Sequence, residues 1–203
     1  MKHAYRIETE RLIIRCYNPS DVFLLKNSIE ESIEHLRPWM PWVDNEPEEL
    51  QVKIDRLRMF RGEFDLDKNY VYGIFNPDEN QLIGGCGLHP RIGDNALEIG
   101  YWINVNHINR GYATEIATAL TKVAFEIENV QRVEIHCDPK NVRSSSIPRK
   151  LGFTHEATLK QRNVNYKGEF TDSMIWTLFK DQYLKSSIKK RNMKIFDAIG
   201  KKL

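Results

Sequence analysis

Cysteine is scarce in this sequence, and long apolar runs are missing. Three cysteines in 203 residues, Cys16, Cys86 and Cys137, are far apart and odd in number. That excludes a disulfide framework or a CxxC-type metal site, and it points to idle thiols in a reducing cytoplasm. No stretch approaches the roughly 20 consecutive apolar residues of a membrane span. The first residues carry charge with no apolar run behind it, so no secretory signal is expected. No GxxxxGK[ST] phosphate loop, no GxGxxG and no internal repeat occurs. His89, His107 and His136 lack metal-ligand spacing and read as ordinary histidines, so no metal is expected.

What is present suffices for one domain with a core: 41% hydrophobic and 29% charged residues. The net charge of +2 is unevenly spread, because residues 185–203 hold seven Lys/Arg against one acid, a net of +6 that leaves −4 for the rest. A domain built to bind nucleic acid would carry that charge on its folded body.

The hydrophobic pattern alternates between strand and helix periods. Residues 10–17 read as a first strand. Two amphipathic helices follow, one through Val22, Leu25, Ile29 and Ile33 and one through Leu50, Ile54, Leu57 and Phe60. An aromatic, proline-rich connection (residues 35–43) joins them, and acids cluster at 44–49 as a solvated helix start. Residues 70–75 and 82–88 form a hairpin, and 96–105 is a buried central strand. A long helix begins after Gly111, then come a strand (132–137), a short helix (142–151) and a closing antiparallel pair (153–159 and 171–178). The order β-α-α-β-β-β-α-β-α-β-β is an α/β domain with a mixed sheet. In the basic tail, Ile188, Ile195, Phe196, Ile199 and Leu203 fall near one helical face. This predicts an amphipathic helix over 185–203, appended to a domain spanning 8–184, with a tail that packs on its own domain or frays as the competing reading.

The segment 106–115 (NHINRGYATE) carries the chemistry. A buried strand ends there and a helix starts at a glycine preceded by arginine. The first amides of a helix lack intrahelical partners and sit at its positive end. Gly111 removes a Cβ and Arg110 adds charge, which together make a pyrophosphate cradle, with a plain loop as the competing reading.

Three segments in order, Glu98-Ile99-Gly100-Tyr101-Trp102-Ile103, Arg110-Gly111-Tyr112-Ala113-Thr114-Glu115 and Asn141-x-x-Ser144 leading to Lys150-Leu151-Gly152-Phe153, carry a resemblance to the GNAT superfamily. The chain looks most similar to the RimJ/RimL type, which acetylates ribosomal-protein N-termini; residues 35–42 (HLRPWMPW) fit that subgroup. The likeness spans residues 11–178. It implies a mixed, mostly antiparallel sheet of about seven strands with splayed central strands, and acetyl-CoA as cosubstrate. It further implies pantetheine pairing with main chain around Trp102, Ile103 and Val105, and pyrophosphate on the amides of Arg110, Gly111, Tyr112, Ala113 and Thr114. Asn141 joins the cofactor set. Ser144 is the candidate donor to the CoA sulfur, with a helix-cap role as the alternative. No tyrosine lies on its helix to act as acid.

Glu98, an acid in an apolar strand, is the candidate base, its pKa raised by burial, with a solvated or ion-paired acid at a strand end as the competing reading. Asn163 stands where RimL-like enzymes carry a proposed base carboxylate, and Ile108 where the family has Gln or Arg. Trp39 and Trp42 would form the substrate lip, with core packing as the competing reading. The implied reaction is direct transfer of acetyl to a primary amine in a ternary complex. Neutralising a lysine amine at pH 7 costs about 4.6 kcal/mol against about 1–1.4 kcal/mol for an α-amine, so a protein N-terminus is the expected acceptor. The alternatives are a small-molecule amine (aminoglycoside or polyamine) and a non-catalytic CoA-binding module. A homodimer, and a ribosome or RNA contact through the basic tail, are the further partners left open.

Overall fold

The computed structural model describes residues 3–203. Nine strands form one sheet: β1 (Arg6–Glu8), β2 (Ile13–Cys16), β3 (Tyr70–Phe75), β4 (Leu82–His89), β5 (Ala96–Ile103), β6 (Arg132–Cys137), β7 (Thr154–Val164), β8 (Phe170–Phe179) and β9 (Lys194–Phe196). Their spatial order is β7-β8-β6-β5-β4-β3-β2-β1-β9, antiparallel throughout except for the parallel pair β5–β6. The helices are α1 (Val22–Leu36), α2 (Leu50–Asp65), α3 (Tyr112–Glu126), α4 (Val142–Lys150) and α5 (Lys180–Lys185). None is long and apolar enough to cross a membrane.

Alternation along the strands sorts the core into two layers. Ile14, Ile74, Ile83, Leu97 and Ile99 meet Ile116, Leu120 and Val123 of α3 on one face. Ile13, Phe75 and Leu82 meet Val22, Leu25 and Ile29 of α1 and Leu57 of α2 on the other. The apolar spacing of these helices is thus used as the sequence predicts.

Pairing of β5 with β6 covers only Ala96–Glu98 against Arg132–Glu134. Beyond Glu98, β5 continues beside β4 and β6 continues beside β8, so a wedge opens between them. This is the splay that the family resemblance implied.

Three expectations are corrected. The strand expected at 10–17 is the shorter β2, and it is not the first: β1, which the sequence pattern does not show, precedes it across a turn in which Thr9 N–H donates to Leu12 O (3.0 Å). The tail is no amphipathic helix: a 3₁₀ turn (Ile188–Lys190) leads into β9, which pairs antiparallel with β1, and the sheet has nine strands rather than seven. The reason is the open edge of β1, whose main-chain groups take a strand as partner. Ile188 and Ile195 are buried, whereas Ile199 is 86% exposed. Finally, the acids at 44–49 are not all solvated. Glu46 is buried against the equally buried Lys53 of α2 (2.5 Å), which pins the 3₁₀ segment Pro41–Asn45 to the body.

Candidate active site

The wedge is flanked by two cavities of about 660 Å³ and about 630 Å³. The first, a groove, runs from the start of α3 to that of α4; the second, a chamber, lies over β4, β5 and β6 under the Pro41–Asn45 lip. They share Trp39, Met40, Tyr101, Trp102, Asn141 and Ser144, so whatever fills one meets whatever fills the other at those six residues.

The groove begins at Gly111, whose φ of +80° is a left-handed conformation that glycine adopts without strain. A Cβ there would meet only Arg11 Nη2 at 3.6 Å, so conformation rather than crowding selects glycine. Gly111, Tyr112, Ala113 and Thr114 line the groove beside Ile108. Arg110 does not: its guanidinium donates to Asn106 O (2.9 Å) and stays outside the lining. The positive charge comes instead from Lys140, Arg143 and Lys150, which sequence reasoning did not single out as a charge cluster.

Asn104 N–H donates to Ile83 O of β4 (2.8 Å). In the alternation of an antiparallel ladder, Trp102 and Gly100 therefore turn their main-chain groups to β4, while Ile99, Tyr101 and Ile103 turn theirs to the wedge. Ile103 is in phase for an added strand; Trp102 is not, and contributes its indole instead. Val105 is also excluded, because its N–H donates to Ser32 Oγ (3.0 Å). The unpaired odd-numbered edge, the helix-start amides and the three basic side chains together fit a pantetheine arm ending in a diphosphate.

At the junction, Asn141 Oδ1 accepts from Ser144 N–H (3.0 Å) and so caps α4. With the cap supplied by Asn141, the Ser144 hydroxyl is not needed to cap the helix, and it meets the Tyr101 hydroxyl at 3.3 Å across the wedge. Burial pushes the Tyr101 phenol up, so it remains protonated. Cys137 stands beside Ser144, its thiol pushed by burial to about 11.

The chamber floor is shaped by glycines. The Trp102 indole lies where a Cβ on Gly85 would be, 2.5 Å from its Nε1, and His89 folds over the cross-strand pair Gly87–Gly100. Trp42 meets Trp102 edge-on (centroids 6.0 Å apart) and packs against the core, and Trp39 borders both cavities. Glu98 reaches the chamber ion-paired, the competing reading, and not as a carboxyl raised by burial. Burial alone would raise its carboxyl; Arg91, donating from Nε (2.8 Å) and Nη2 (2.5 Å), more than reverses this and holds it below the ordinary carboxylate range. Asn163 lies outside both cavities. No group of three His, Cys, Asp or Glu among the described residues could hold a metal ion.

Residues 11–154 match the family described as acetyltransferase (GNAT) domain. A relative from Escherichia coli (strain K12), [ribosomal protein uS5]-alanine N-acetyltransferase, is 26% identical over 160 residues, covering 76% of this chain and 81% of the relative. The structure of RimL, a ribosomal L7/L12 alpha-N-protein acetyltransferase in complex with coenzyme A, superposes with a TM-score of 0.77 at 20% identity, covering 86% of this chain and 97% of that one. A ribosomal-protein-S5-alanine acetyltransferase from Vibrio fischeri gives 0.75 at 19%, covering 88% and 98%.

Proposed function

This chain belongs to the GNAT acetyltransferase family and is an acetyl-CoA-dependent N-acetyltransferase; from that premise we propose that its acceptor is the α-amine of a protein N-terminus. The observation that carries the reading is the meeting of groove and chamber at Tyr101, Trp102 and Ser144, which brings two reactants end to end. When bound, acetyl-CoA supplies an activated acetyl thioester. The chain's own groups do the remaining work. The amides of Tyr112, Ala113 and Thr114, with Lys140, Arg143 and Lys150, hold the phosphates, and the wedge-facing edge of β5 holds the arm. An N–H on that edge, from Tyr101 or Ile103, is placed to stabilise the oxyanion. Ser144, backed by the protonated Tyr101, donates to the departing sulfur.

Two features support an α-amine over a lysine side chain. The one carboxylate deep in the chamber, Glu98, is neutralised by Arg91 and is a poor base for a strongly basic amine. Among the similar proteins are a [ribosomal protein uS5]-alanine N-acetyltransferase and a ribosomal L7/L12 alpha-N-protein acetyltransferase. A panel settles the matter: thiol release from acetyl-CoA with peptides bearing a free N-terminal Ala or Ser, the same peptides blocked at the terminus but containing lysine, an aminoglycoside and a polyamine. The free-terminus peptides are expected to turn over fastest. Faster acetylation of the blocked, lysine-containing peptide, or of either small amine, refutes the proposal.

A further inference from the structure

With Glu98 committed to Arg91 and Asn163 outside the cavities, the proton leaving the acceptor nitrogen needs another destination. His136 does not offer one: its Nε2 is 2.7 Å from Glu134 Oε2 and its Nδ1 faces Glu98 Oε2 at 3.7 Å, so both ring nitrogens are turned to carboxylates. His89 differs. Asn69 Nδ2 donates to Glu63 Oε2 (3.1 Å), which fixes the amide so that its Oδ1 faces His89 Nδ1 at 2.7 Å. An oxygen there accepts, so Nδ1 carries the hydrogen and Nε2 presents a bare lone pair. That Nε2 takes no hydrogen bond among the described residues. It sits over the chamber floor, reaching toward Gly100, the neighbour of Tyr101.

We propose that His89 accepts the proton of the acceptor nitrogen, directly or through one water, and that Asn69 is the positioning residue that keeps Nε2 free for it. The nitrogen lone pair forms the C–N bond and the C–S bond breaks. One proton passes from nitrogen to Nε2 and then to solvent, and sulfur receives one from the Ser144–Tyr101 hydroxyls, which solvent restores. The charged groups facing His89 are Arg91, Glu98 and Glu63. Burial, assisted by Arg91, pulls the imidazole down to about 4, so it is neutral at working pH. A base this weak suits a nitrogen that has become acidic through C–N bond formation rather than a free ammonium.

The inference rests on acetyl transfer and not on the acceptor's identity, so the assay uses whichever amine of the panel turns over fastest. Two measurements on the full chain test it. Long-range ¹⁵N–¹H spectra of the imidazole at pH 6 should show a neutral ring protonated at Nδ1. In kinetics, His89→Gln should lower kcat about 10²-fold with the KM for acetyl-CoA nearly unchanged. Asn69→Asp sets a negative charge against Nδ1 and favours the imidazolium, so the acid limb of kcat should move up by about one pH unit or more. A charged or Nε2-protonated ring at pH 6, a kcat in His89→Gln close to that of the native enzyme, or an unmoved acid limb in Asn69→Asp overturns the proposal. Should His89→Gln fail to fold, the spectra of the native chain and the near-isosteric Asn69→Asp still decide.

Discussion

The phenol of Tyr101 and the hydroxyl of Ser144 reach each other from opposite walls of the wedge, which makes them a relay rather than two independent donors. Groups acting as a unit give non-additive losses. Ser144→Ala should therefore lower kcat about 10²-fold, Tyr101→Phe about 10-fold, and the double variant little more than Ser144→Ala alone. Steady-state thiol release at saturating acetyl-CoA measures all three; fully multiplicative losses refute the relay. The residues also show how far a sequence speaks at this scale. Ser144 was legible because Asn141 and Ser144 lie three apart, within one local motif. Tyr101 was not, because its partner is 43 residues away and comes from a strand rather than from the helix where an acid was sought. Glu98 was half legible: its burial shows in the apolar run around it, but Arg91 meets it only because the β4–β5 turn doubles back.

At the scale of elements, the start of α3 is the clearest case of function residing in main chain. Gly111→Ala adds a methyl that has room, 3.6 Å from the nearest atom, yet holds a non-glycine residue at φ +80°. The strain is about 1–2 kcal/mol. Part of it relaxes by tilting the amides that follow, so the KM for acetyl-CoA should rise about 10-fold while kcat changes little. Initial rates across a range of acetyl-CoA concentrations check this, and a kcat loss without a KM change would contradict it. Helices α1 to α4 and strands β3 to β8 announce themselves by period and turn chemistry. The short edge strands do not, since three residues such as Lys194–Phe196 carry no period. Residues 188, 195, 199 and 203 happen to share a helical spacing, and only the unsatisfied edge of β1 decides for a strand.

For the whole molecule, that strand makes the tail part of the sheet, with Lys194 exposed and Ile195 buried. A helix would have placed Ile195 and Ile199 alike; the sheet separates them. Ile195→Ala should cost about 2–5 kcal/mol of unfolding free energy and Ile199→Ala almost nothing. Urea midpoints at constant slope measure the difference, and equal effects would contradict the β9 assignment. The chamber carries a wider consequence. Its depth comes from atoms left out at Gly85, Gly87 and Gly100, over which two rings have settled. A single methyl at Gly85 or Gly87 would heave a ring upward and shrink the space above, and one at Gly100 would nudge His89 by a few tenths of an ångström. The reach of this enzyme toward bulkier or slimmer acceptors is thus tuned by carbon-sized increments on one plain strand pair, at positions that carry no side chain of their own.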